Sequence, residues 1–240
     1  MKKIRLLGTL VAATMVILCL CTVNVRADDV EWNGKTVGID AGHQLKANLS
    51  KEPVGPGSST YKIKVSGGTT GVSTGWPEYK LTLKVAKKLK KELKSRGYKV
   101  VMTRTKNDVD ISNAQRAKKL NKSCDIAVRL HADGSKSSYV NGAGALYPSK
   151  SNPYVGSLSK ESRKLSKCVL DAYCESTGIK NNGLSVRDDL TGTNWSTIPV
   201  TLIEMGFMSN SSDDKYMASS SGMKEMVKGL ADGIDDYFGF

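Results

Sequence analysis

Three apolar runs in this chain end abruptly in a single ionisable side chain. Thr36-Val-Gly-Ile39 passes through Asp40-Ala-Gly and stops at His43. Cys124-Asp-Ile-Ala-Val-Arg-Leu-His131 ends in the second of only two histidines, and Ile198-Pro-Val-Thr-Leu-Ile203 runs into Glu204. Short continuous apolar runs read as strands buried on both faces. Further strands are predicted at Tyr98–Thr103 and Gly142–Tyr147, with a shorter one at Leu184–Val186.

Helical periods fill the intervals. Leu81, Val85, Leu89 and Leu93 form the inward stripe of a helix that opens at Trp76-Pro77-Glu78 and ends near Arg96, with Gly97 as its stop. Six lysines between Lys84 and Lys94 cover its other faces. Asp108-Val-Asp110 is expected to cap a second helix from Ile111 to Asn121. Two more follow, at Val155–Ser176 before Gly178 and at Gly222–Phe238. Strands and helices in alternation predict an α/β domain with a mostly parallel sheet. Gln44–Gly75 shows no clear period and is rich in Gly, Ser, Pro and Thr. It is expected to be a loop that walls the site beside His43, with a disordered surface insertion as the alternative for its middle.

Residues 1–27 do not belong to that pattern. Basic Met1–Arg5, an apolar run from Leu6 to Val23, and Val25-Arg-Ala27 before Asp28 predict an export signal cleaved after Ala27. The run is long enough that an uncleaved membrane anchor is the alternative. The remaining residues, 28–240, make a single domain. The net charge of +13 points to an anionic partner, because only four of the positive charges lie in the leader. Evenly spread lysines without a stacking motif argue against nucleic acid; retention on anionic wall polymers and a merely solvated surface are the two readings left. Cys124, Cys168 and Cys174 are too few and too unevenly spaced for a disulfide framework and are read as small hydrophobes.

Taken singly, the ionisable residues have ordinary explanations. His43 and His131 could be hydrogen-bonded core histidines, Glu78 could serve a helix N-terminus, and Glu204 could pair with Arg104 or Arg129. Yet Glu78 precedes Leu81 and Val85 by three and seven residues, so it faces the core and needs a cation or several donors. Two imidazoles and one carboxylate form the ligand set of catalytic zinc sites, and a further carboxylate can move the proton of an attacking water. A phosphate-cradling Gly-x-x-x-x-Gly-Lys loop and a dinucleotide fingerprint are absent.

Four motifs in order, Ile39-Asp-Ala-Gly-His43, Glu78 heading a helix that ends Arg96-Gly-Tyr-Lys-Val100, Arg129-Leu-His-Ala-Asp133 and Ile203-Glu-Met-Gly-Phe-Met-Ser-Asn210, resemble the zinc-dependent N-acetylmuramoyl-L-alanine amidases. The resemblance covers about Lys35 to Phe238. It implies a twisted mixed sheet of about six strands flanked by helices, zinc held by His43, Glu78 and His131, and Glu204 as the catalytic carboxylate. It also implies a secreted enzyme that cleaves the bond between the muramoyl lactyl group and L-alanine in peptidoglycan. The segment from Gln44 to Glu78 departs from many relatives, which follow the first histidine with Gly-Gly and a short link. A zinc peptidase or carboxypeptidase acting on another amide, and a non-catalytic wall-binding module, are the competing readings. Stem-peptide preference, physiological occasion, regulation and oligomeric state are not legible.

Overall fold

A computed structural model describes residues 30–240; the expected export signal at 1–27 lies outside them. The elements are β1 (Thr36–Ala41), β2 (Asn48–Pro53), β3 (Tyr61–Val65), α1 (Glu78–Ser95), β4 (Lys99–Met102), α2 (Asn113–Leu120), β5 (Ile126–Asp133) and β6 (Ala143–Tyr147). They continue with α3 (Ser159–Thr177), β7 (Asn181–Val186), α4 (Thr191–Asn194), β8 (Val200–Phe207), α5 (Ser211–Ala218) and α6 (Ser220–Phe238). Six strands form one mixed sheet in the order β4-β1-β5-β8-β6-β7. β4, β1, β5 and β8 run parallel, and β6 lies antiparallel to β8.

The sheet sorts side chains by alternation. Val37, Ile39 and Ala41 of β1, Val128 and Leu130 of β5, and Ile203 and Met205 of β8 point into the main core beneath α1, α3 and α6. Their neighbours point to the other face, where Leu120 of α2 packs with Cys124, Ala127 and Val200. Asp40, Arg129, His131 and Glu204 occupy that second set of positions. α1 packs its predicted stripe into the main core, with Leu81, Val85, Leu89 and Leu93 all at 1% exposure or less. Gly178 ends α3 at φ 67°, the left-handed stop expected of it.

Several expectations change. Gln44–Gly75 is neither a plain loop nor a disordered insertion, because it contains the antiparallel pair β2–β3. Glu52 pins this hairpin to the head of α2, accepting from the Ser112 hydroxyl at 2.6 Å and from the Ala114 amide at 3.1 Å. The Trp195 indole donates to the Pro53 carbonyl and fixes its other side. Ser112, not the Asp108–Asp110 segment, caps α2, in a reciprocal box with Gln115. Pro77 is the N-cap of α1, so the helix starts at Glu78. Cys124, Cys168 and Cys174 are unbridged.

Behind the sheet edge lies a buried charge cluster. Asp40, 1% exposed, accepts from Arg116 at 2.9 Å, Arg129 at 2.9 Å and the Thr103 hydroxyl at 2.7 Å. Burial alone would raise its pKa, but the two guanidinium groups and the Thr103 and Arg129 hydrogen bonds outweigh burial and hold it far below the carboxylate range. A depressed folded pKa contributes stability above the unfolded value near 3.9, and that contribution is lost as pH falls. Asp40→Asn leaves two buried cations short of a counter-charge and should cost about 3–5 kcal/mol at pH 7. Urea titrations should show the gap between parent and variant closing as pH drops from about 5 toward 2. An unchanged midpoint at pH 7 would contradict this.

Candidate metal centre

The parallel register delivers the site. Leu130 lies beside Ala41, and His131 lies beside Glu204 on β8. His43 follows two residues after the end of β1, in a turn where it is the one non-glycine with positive φ (59°) among the described residues. Histidine tolerates that region better than most residues, but it still needs holding. Arg116 donates to the His43 carbonyl at 2.9 Å, and Arg104 donates to those of Ala41 and Gly42 at 2.9 Å each. A Cβ at Gly42 would lie 2.4 Å from the His131 ring, so only glycine lets the two histidines approach. Glu78 arrives from the head of α1, whose positive end favours a carboxylate. Thr69 of the β3–α1 link donates to its Oε2 at 3.0 Å, and the Ala132 amide donates to its Oε1 at 3.1 Å.

Three donor atoms converge. His43 Nε2 and His131 Nδ1 each lie 3.0 Å from Glu78 Oε1, and 3.1 Å from each other. His43 Nδ1 faces the Ser66 carbonyl at 2.9 Å, so it must carry the proton, and Nε2 turns its lone pair inward. Nε2 can face the carboxylate oxygen at this distance only with a proton or a metal ion between them. Tetrahedral zinc, bound at about 2.0–2.2 Å, sets its ligand atoms roughly 3.4 Å apart, close to this spacing. Burial lowers the His131 pKa, with its hydrogen bond to Glu78 opposing, and so favours the neutral ring that a metal ligand must be. Burial pushes the Glu78 carboxyl up, but the close contacts with the His131 and His43 rings reverse this and hold it ionised. The residues fit a divalent metal ion: the sequence-predicted trio His43, Glu78 and His131 can hold one.

Glu204 stands at the same edge and makes no salt bridge with Arg104 or Arg129, which are committed to backbone carbonyls and to Asp40. Its Oε2 is buried without a partner, as is His131 Nε2. Burial raises its pKa well above the usual range, with the charges of Glu78 and Asp133 adding and Arg129 and Arg187 opposing. Both unmatched atoms belong to residues that line an open cleft of about 590 Å³. Gly68 and Thr69 form one wall, as expected of the Gln44–Gly75 segment, and Leu146 and Arg187 contribute to the lining. The roles of Ser66, Asp40 and Arg116 around the histidines carry no periodic or motif signal and were not foreseen. Their partners lie as far as 89 residues away in sequence.

This is an α/β protein in which one sheet edge and the head of α1 bring a His-Glu-His trio together beside an unpaired glutamate. The N-acetylmuramoyl-L-alanine amidase family model matches residues 37–236, and the chain belongs to that family. It is 28% identical over 247 residues to an N-acetylmuramoyl-L-alanine amidase of Mycobacterium tuberculosis, covering 95% of each protein. It is 25% identical over 209 residues to a probable cell wall amidase of Staphylococcus epidermidis, covering 85% of this chain and 59% of that one. The crystal structure of an N-acetylmuramyl-L-alanine amidase from Mycobacterium smegmatis superposes with a TM-score of 0.77 at 26% identity. That match covers 87% of this chain and 99% of the other. The expected six-stranded, mostly parallel mixed sheet flanked by helices is the architecture found.

Proposed function

We propose that this chain is a zinc-dependent peptidoglycan amidase that separates the muramoyl lactyl group from L-alanine of the stem peptide. The observation that carries the reading is the meeting of His43 Nε2, His131 Nδ1 and Glu78 Oε1 within 3.1 Å beside a partnerless Glu204 oxygen. In this reading His43, Glu78 and His131 hold the zinc, which when bound acidifies water and polarises the scissile carbonyl. Glu204 accepts the proton of the attacking water and returns it to the departing amine. Its buried, partnerless Oε2 suits a group whose proton must leave for the product. Asp40, Arg116 and Arg104 act through the turn that carries His43 and keep its lone pair aimed inward. The cleft is open along one side, which admits a glycan strand with its peptide branch.

Action outside the cytoplasm follows from the substrate and agrees with the wall amidase among the relatives. No described helix is long and apolar enough to cross a membrane. The export signal remains the means proposed for delivery.

Digestion of purified peptidoglycan tests the bond. Mass spectrometry should find intact stem peptides beginning at L-alanine, with a new amine and no rise in reducing sugar. Fragments cut within the peptide would instead assign the site to a peptidase or carboxypeptidase. Zinc-loaded protein that binds walls without releasing peptide would make it a binding module.

A further inference from the structure

The fold carries a second feature that the amidase reaction does not use. A groove of about 600 Å³ runs along the C-terminal half of α1, lined by Lys87, Lys90, Lys91 and Lys94, with Lys99 and Trp32 on its far wall. Among the described residues, no carboxylate lines it. Among the described residues, none of these five lysines belongs to an ion pair, whereas Lys62, Lys167 and Lys228 are matched to Asp189, Asp171 and Asp232. Glu92, the acid on this half of α1, is already held by Arg96 at 2.8 Å. Lysines on a merely solvated helix face have no reason to gather around a concavity.

The aromatic wall is fixed. Trp32 is 51% exposed, its indole N–H donates to the Lys35 carbonyl, and the Lys99 ammonium sits 3.9 Å from its ring centroid. It offers an apolar face to carbon–hydrogen groups between the charges of a ligand. Steps of four and three residues from Lys87 to Lys91 to Lys94 space the cations about 4.5–6 Å apart along the helix axis. That spacing suits a linear chain with regularly repeated anions. A groove also meets a chain along its length, whereas a flat headgroup surface would touch only its rims. With 18 residues α1 spans roughly 27 Å. Glu78 at its head lies in the metal centre and Lys94 at its tail lies in the groove, so an occupant here leaves the cleft free.

We infer that the Lys87–Lys94 groove with Trp32 binds a linear phosphodiester polyanion whose links are polyols or sugars, and that it holds the enzyme on such a polymer while the cleft works on a separate strand. The inference is independent of which amide is cut.

Binding of labelled poly(glycerol phosphate) to the purified chain, measured by anisotropy across 50–200 mM NaCl, tests it. The triple variant Lys87→Gln/Lys91→Gln/Lys94→Gln should bind more than ten-fold more weakly. Its plot of log affinity against log salt should flatten by about two, the counterion release of three lost contacts. Trp32→Ala should weaken binding several-fold with the slope kept. Neutralising the exposed Lys122, Lys150 and Lys160 makes the same charge change elsewhere and should cost less than two-fold. Thermal melting and hydrolysis of soluble muropeptides should be unchanged in the triple variant, which separates loss of this grip from failure of the amidase reading. Equal losses in the two triple variants would overturn the proposal. So would equally tight binding of polyglutamate, or a triple variant that keeps the polymer but loses phosphatidylglycerol vesicles or duplex DNA.

Discussion

Glu204→Gln is expected to retain the full metal content of the parent and to lose about 10²–10⁴-fold in kcat. The glutamine keeps the shape of the side chain and removes the basic oxygen. Glu204 makes no hydrogen bond or ion pair with His43, Glu78 or His131, so the change should not reach the ligands. Glutamine leaves a polar atom unmatched there too but buries no charge, so the variant should melt no lower than the parent. Steady-state kinetics on a soluble muropeptide, paired with metal analysis of the same sample, decides the matter. Retained turnover would remove Glu204 from the chemistry, and lost metal would place it among the ligands.

The second large effect belongs to the trio itself. His131→Ala and His43→Ala should each abolish both activity and stoichiometric zinc, because two protein ligands cannot hold a catalytic zinc site. Stability gives a readout that does not depend on turnover. A ligand at 100 times its dissociation constant stabilises the folded state by about 2.7 kcal/mol. Zinc should therefore raise the melting temperature of the parent and a chelator should lower it, while both histidine variants should respond to neither. A His131→Ala protein that still gained stability from zinc would locate the ion elsewhere.

What the sequence revealed, and what it hid, follows from the range of each interaction. His43, His131 and Glu204 were legible because each ends an apolar run, and strands of one parallel sheet bring such ends to one edge. Glu78 was legible from helix phase, since a carboxylate on the apolar stripe needs a reason to be there. The ladder that sets His131 beside Glu204 was not legible, because register depends on pairing between strands far apart in the chain. β3 shows alternation in Tyr61-Lys-Ile-Lys-Val65, a signal that could have been read as a strand. Its partner Asn48-Leu-Ser-Lys-Glu-Pro53 shows no such alternation and is held largely by Glu52 at the head of α2. Arg129 was considered as a partner for Glu204, yet it serves Asp40, and Arg116 completes that pair from a helix 76 residues away. Buried ion pairs of this kind leave no periodic trace.

Anomalous diffraction at the zinc edge, from crystals of the active chain, tests the account most directly. One peak is expected about 2.0–2.2 Å from His43 Nε2, a Glu78 oxygen and a His131 ring nitrogen together. Fully active crystals with no peak between those three side chains would contradict it.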